Sequence, residues 1–132
     1  MIVVDASVAV EVVLRTARGR AIAPRLVAED SLHAPHLIDL EVVQALRRFR
    51  LRGELDDGRA LECLADFADL PLERYPHTLF LGRIWELRSN VTAYDAAYLA
   101  LAEALDVPLW TCDGPLARAA PRSLTVEDWS GA

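Results

Sequence analysis

The sequence predicts an α/β protein of three layers, α/β/α, built around a central parallel sheet of four to five strands. Two observations carry this. Short β-type runs alternate with helix-type stretches along the whole chain, the pattern of strands joined by helical crossovers. The first run, Ile2-Val3-Val4, is apolar at consecutive positions rather than at every second one, as a strand covered on both faces requires.

The elements follow in order. Ile2–Val4 is a strand, and helical stretches follow over Ser7–Leu14 and Arg18–Glu29. Leu32-His33-Ala34 is a second strand, closed by Pro35. From His36 to Leu51, Ile38, Val42, Ala45, Leu46 and Phe49 recur at helical spacing, and Gly53 stops the helix. Asp56 or Asp57 caps the next helix, with Ala60, Leu61, Leu64, Phe67 and Ala68 as its buried stripe. Pro71–Tyr75 is a third strand, Thr78–Leu87 a helix, and Thr92–Leu105 a strong one rich in Ala and Leu. Val107–Thr111 is a fourth strand and Ser123–Val126 a fifth.

Composition narrows the class. The length of 132 residues suits one domain spanning 1–132. A hydrophobic content of 53% with 26% charged residues excludes a disordered chain. No apolar run approaches the ~18–20 residues that cross a bilayer, so no membrane association is expected. The opening Met-Ile-Val-Val-Asp lacks a basic leader region, which argues against a signal peptide and for a cytoplasmic protein. Cys63 and Cys112 form no CxxC, so a disulfide framework or zinc site is not expected; both thiols are predicted reduced and partly buried.

The net charge of −6 is unusual for a protein that handles nucleic acid. Bound cations or local positive charge would have to offset it. All 14 basic residues are Arg, and Arg47, Arg48, Arg50 and Arg52 fall within six positions. That run is either a solvated helix face or a grip on phosphates.

Four acids stand out. Asp5 and Asp113 end strands one and four, where ligands of parallel sheets bind, although each also fits a cap or turn. Asp95 stands three residues after Thr92, the spacing of a capping box. Glu41 lies past the caps of its helix, on the edge of the apolar stripe, and is the hardest to explain as local structure. Asp39, in the first turn, is better explained by the helix dipole. Carboxylates that converge repel one another and raise their own pKa values, so a cation is needed to hold them. Oxygen ligands without a nearby His or Cys favour Mg²⁺ or Mn²⁺ over zinc.

These stretches also carry a family resemblance. Ile2-Val-Val-Asp5-Ala-Ser7 resembles the opening of PIN-domain proteins. So do Pro35 through Arg48, including Glu41 and Gln44; Tyr94-Asp95-Ala-Ala-Tyr98; and Leu109-Trp-Thr111-Cys-Asp113. Their order and spacing, from about residue 2 to residue 126, are most similar to the VapC-type toxins of bacterial toxin–antitoxin pairs. The resemblance implies a metal-dependent endoribonuclease, usually a homodimer, inhibited by a cognate antitoxin. It carries Asp5, Glu41, Asp95 and Asp113 over as metal-binding and catalytic positions, with Ser7 and Thr111 as supporting hydroxyls. Gln44 departs from the family's frequent Asn.

The implied chemistry is cleavage of RNA by metal-activated water, leaving a 3′-hydroxyl and a 5′-phosphate. A histidine-based route is not favoured, because His33, His36 and His77 show no pairing in sequence and suit surface or boundary positions. Phosphoacceptor domains and aspartate-based phosphatases share this layout but use a Lys, and the chain has none. A PIN-like binding module without catalysis is the remaining alternative.

Overall fold

The computed structural model describes residues Met1–Ala132. Its five strands are β1 (Ile2–Val4), β2 (Leu32–Pro35), β3 (Leu72–Tyr75), β4 (Leu109–Thr111) and β5 (Val126–Asp128). Helices α1 (Ala6–Leu14) and α2 (Ala17–Val27) follow β1, and α3 (Leu37–Leu51) and α4 (Asp57–Asp69) follow β2. After β3 come a 3-10 turn over Thr78–Phe80, α5 (Leu81–Glu86) and α6 (Ala93–Leu105); α7 (Gly114–Ala119) separates β4 from β5. The order across the sheet is β3-β2-β1-β4-β5, and every pairing is parallel.

The unbroken apolar run of β1 is explained by burial on both faces. Val3, Ala34 and Leu109 pack into the larger core with Ile38, Val42 and Leu46 of α3 and Leu99 and Ala102 of α6. Ile2, Val4, Leu32 and Trp110 point the other way, into a smaller core with Val8, Ile22 and Leu26. The topology reverses between β1 and β4, because the chain moves outward through β2 and β3 and then returns to the far side of β1. That reversal opens a crevice beyond the carboxyl ends of the two strands, the usual ligand position in such sheets.

Helix ends follow the local rules. Gly53, at φ 74°, ends α3 with its N–H on Arg50 O and the Glu54 N–H on Phe49 O, a Schellman closure. Asp56 caps α4 by accepting from the Arg59 N–H at 2.7 Å.

Several expectations need correction. The last strand lies at Val126–Asp128 rather than Ser123–Val126, because β4 pairs Leu109 with Val126 and Thr111 with Asp128. The short helix α7 was not anticipated; its six residues are too few to show an apolar period. In α4, Leu61 and Ala68 are exposed, and the stripe is instead Ala60, Cys63, Leu64 and Phe67. His33 is buried, not at a boundary: its ring bonds to Ser31 Oγ at 2.8 Å and Tyr75 Oη at 2.7 Å. Those two hydroxyls satisfy both ring nitrogens, which is what lets a histidine sit inside a sheet.

Candidate metal centre

One crevice of about 320 Å³ is lined by Asp5, Ser7, Glu11, Glu41, Ala45, Arg48, Asp95 and Asp113, among others. It lies over the β1–β4 reversal, and four different segments feed it. Asp5 follows β1, Glu41 stands on α3, Asp95 in the first turn of α6, and Asp113 after β4.

Asp5 is the buried acid of the set, 6% exposed. It occupies the position before α1 but makes no side-chain cap bond, so the capping explanation of this residue fails. Instead its Oδ2 accepts from Ser7 Oγ at 2.6 Å and from Thr111 Oγ1 at 2.8 Å. Both bonds land on one oxygen and leave Oδ1 without a side-chain donor. The network continues: Ser7 Oγ accepts from the Cys112 N–H at 2.9 Å, and Thr111 Oγ1 from the Asp113 N–H at 3.0 Å. The two hydroxyls thus lock the ends of β1 and β4 together and orient Asp5.

The other acids keep part of their local roles. Asp113 Oδ1 caps α7 by accepting from the Leu116 N–H at 3.1 Å. Thr92 caps α6 by accepting from the Asp95 N–H at 3.1 Å. The Asp95 carboxylate itself lines the crevice, with burial raising its pKa and the Thr92 hydroxyl pulling it partly down. Asp39 turns away from it and is held by Arg74 at 2.8 Å.

The electrostatics are those of crowded carboxylates. Burial pushes the Asp5 carboxyl above the usual aspartate range; the Ser7 and Thr111 hydroxyls pull it partly back, and the Asp113 charge adds to the rise. Burial also raises Glu41, against the Tyr98 hydrogen bond, with the Asp5 and Asp95 charges adding to it. Asp95 is raised by burial and by the charges of Asp5 and Asp113. A cation in the crevice would relieve all three.

No three His, Cys, Asp or Glu side chains stand close enough together to hold an ion between them directly. A fully protein-ligated cage of the zinc or calcium type does not fit this arrangement. The donor set does fit Mg²⁺ or Mn²⁺, hard ions that take one or two carboxylates, keep several waters and leave room for a phosphate.

The sequence matches the PIN domain family over residues 2–121. The chain belongs to the PIN-domain family. It is 45% identical over 127 residues to Ribonuclease VapC12 of Mycobacterium tuberculosis, covering 96% of this chain and 98% of that one. It is 43% identical over 118 residues to Ribonuclease VapC1 of the same organism, with 89% of each covered. The fold is shared with VapBC2 from Rickettsia felis, solved bound to a DNA fragment from its promoter, at a TM-score of 0.71 and 15% identity, covering 98% of this chain and 99% of that one. It is shared as well with M. tuberculosis VapC20, a sarcin-ricin loop cleaving toxin, at 0.67 and 20%, covering 95% and 99%.

In this PIN domain, Glu11 and Arg48 on the crevice wall, and Tyr98 buried behind it, were not singled out from sequence as part of the acidic site. Tyr98 is buried and donates to Glu41 Oε1 at 2.6 Å. Glu11, on the wall, is held by the Thr16 hydroxyl and by Arg18. Arg48 also lines the crevice, whereas Arg50 pairs with Asp57 at 2.6 Å on the surface. Arg47 and Arg52 are exposed and make no ion pair. Gln44 is exposed too and does not line the crevice: Ala45 and Arg48 follow Glu41 at the four- and seven-residue steps that share its face. In sequence Arg48 stood out only within the arginine run; its seven-residue step from Glu41 is the signal that separates it from the others.

Proposed function

We propose that this chain is a divalent-metal-dependent endoribonuclease, the toxin of a toxin–antitoxin pair. The observation that carries the reading is the meeting of Asp5, Glu41, Asp95 and Asp113 on one crevice at the sheet reversal. Identity of 45% to Ribonuclease VapC12 along nearly the whole chain supports it.

In this reading Asp5 and Asp113 are direct ligands of Mg²⁺ or Mn²⁺, and Glu41 and Asp95 bind directly or through water. A divalent ion held there would supply activation of water and charge neutralisation at the scissile phosphate. The chain's own residues do the rest. Ser7 and Thr111 hold Asp5 so that Oδ1 is free of side-chain donors. Glu41 and Asp95 stand on the crevice as carboxylates that would accept a proton from the attacking water. Arg48 at the rim places a guanidinium where a neighbouring phosphate of the strand passes, and local positive charge at the site answers the net charge of −6.

Two partners belong to the same reading. The first is a cognate antitoxin, as the VapBC2 complex carries. The second is another copy of this chain. A cavity of about 340 Å³ is lined by Leu37, Leu40, Leu81, Ile84 and Tyr94 with no acid or Arg among its walls. Two acidic copies approach with least repulsion through a face that carries no acid. A cytoplasmic location is proposed with it; no helix is long and apolar enough to cross a membrane.

Cleavage of a labelled RNA panel tests the activity. The parent is expected to cut, to stop in EDTA and to recover with Mn²⁺ or Mg²⁺, while Asp5→Asn stays inactive. Cleavage by pure protein that persists in EDTA sinks the metal route. An Asp5→Asn protein as active as the parent moves the chain to a non-catalytic binding role.

A further inference from the structure

Tyr98 is fully buried, yet its hydroxyl emerges on a carboxylate of the acidic crevice. It donates to Glu41 Oε1 at 2.6 Å across 57 residues of sequence. Two acid-bearing helices therefore meet at one hydrogen bond. Helix α6 supplies Tyr98 and, one turn earlier, Asp95, and α3 supplies Glu41.

A buried phenol has to be hydrogen-bonded, and a backbone carbonyl would satisfy it as well as a carboxylate does. Spending the donor on Glu41 does something a carbonyl partner would not. It ties up Oε1 with a short, charge-assisted bond and leaves Oε2 as the oxygen without a protein donor. A carboxylate held in this way presents one oxygen to a cation rather than two. That distinction separates cations: Mg²⁺ demands near-octahedral single-oxygen ligation, whereas Ca²⁺ takes six to eight oxygens and accepts both from one carboxylate.

Resting on the metal-dependent reading above, we propose that Tyr98 is a positioning residue that makes Glu41 a one-oxygen acceptor, so that the crevice selects small octahedral divalent cations against Ca²⁺. Tyr98 touches no substrate in this scheme. It acts only through Glu41.

The test measures metal binding directly, by calorimetry on chelator-treated full-length protein, with Mn²⁺ and Ca²⁺ as separate titrants. The parent is expected to prefer Mn²⁺. Tyr98→Phe keeps the ring and removes one oxygen, and is expected to lower the Mn²⁺-to-Ca²⁺ affinity ratio about tenfold. A purely structural tyrosine would reduce stability or weaken both ions together, leaving the ratio unmoved, and that result overturns the proposal. Should the phenylalanine variant not fold, Glu41→Asp, one methylene shorter, withdraws the carboxylate from the phenol and is expected to lower the ratio in the same direction; an unchanged ratio there also overturns it. A parent that binds no Mn²⁺ overturns the metal-dependent reading itself, whereas a binding parent with an unaltered variant ratio overturns only the role of Tyr98.

Discussion

Thr111 Oγ1 donates to Asp5 Oδ2 at 2.8 Å, joining two residues 106 positions apart at the ends of neighbouring strands. The same threonine oxygen accepts from the Asp113 N–H at 3.0 Å, so one hydroxyl orients one acid and fixes the backbone of another. Thr111→Val keeps the shape and removes both bonds at a fully buried position. It is expected to cost about 1–3 kcal/mol in urea unfolding, because Asp5 loses a donor where water does not replace it. Cleavage should fall further than stability explains, read as kcat under conditions where the variant is folded. A variant with parental stability and kcat would separate Thr111 from the site.

Metal binding should appear in stability as well as in activity. Mn²⁺ is expected to raise the parent's melting temperature in proportion to its binding, since the folded crevice binds and the unfolded chain does so weakly. Asp5→Asn is expected to show little rise. Equal stabilisation of both proteins would place the ion elsewhere.

The crowding of the acids has a pH signature in the metal-free protein. Burial first, and then the Asp5 and Asp113 charges, raise the folded pKa of Asp95 above its ordinary value of 3.8. Between the ordinary and the raised value the folded chain binds more protons than the unfolded one. Stability from this group therefore falls as pH rises through that window and stays lost above it. Asp95→Asn is expected to be more resistant to urea than the parent at pH 7 in EDTA, with the advantage shrinking as pH falls through the raised value and gone below about 4. A difference that does not change with pH would contradict this.

The arginine run should divide. Arg48 lines the crevice, while Arg50 is tied to Asp57. Arg48→Ala is expected to flatten the salt dependence of RNA binding by about 0.7 in log–log slope, one phosphate contact on a single strand. Arg50→Ala should leave the slope near the parent's, measured by anisotropy across a salt series.

Gly19 tests the packing of α2 on α1. A Cβ there would lie 1.9 Å from Glu11 O, a backbone atom with nowhere to go. Gly19→Ala is expected to lower stability by about 1–3 kcal/mol, the range for overpacked sites. Because Glu11 lines the crevice, metal affinity should fall with it, measured by the same calorimetry.

Much of this protein is written locally. The apolar run Ile2–Val4, the stripe of Ile38, Val42 and Leu46 and the stop at Gly53 each follow from rules that operate within a few residues, and the parallel α/β architecture follows from their alternation. Asp5, Asp95 and Asp113 stand at strand ends and a first helical turn, which are visible in sequence, and a parallel sheet sends strand ends to one edge; Glu41 stood out by its place beside the apolar stripe. What local patterns do not carry is which side chains meet. The Tyr98–Glu41 bond spans 57 residues and depends on how α6 and α3 pack against the sheet. His33 looked like a boundary residue until Ser31 and Tyr75 were seen to satisfy it. The last strand begins at Val126 because its partner Leu109 sets the register, which no property of Ser123–Val126 alone contains. Sequence determined the elements and where the acids stand on them; tertiary structure decided the partners, since hydrogen-bond register and packing are relations between segments far apart in the chain.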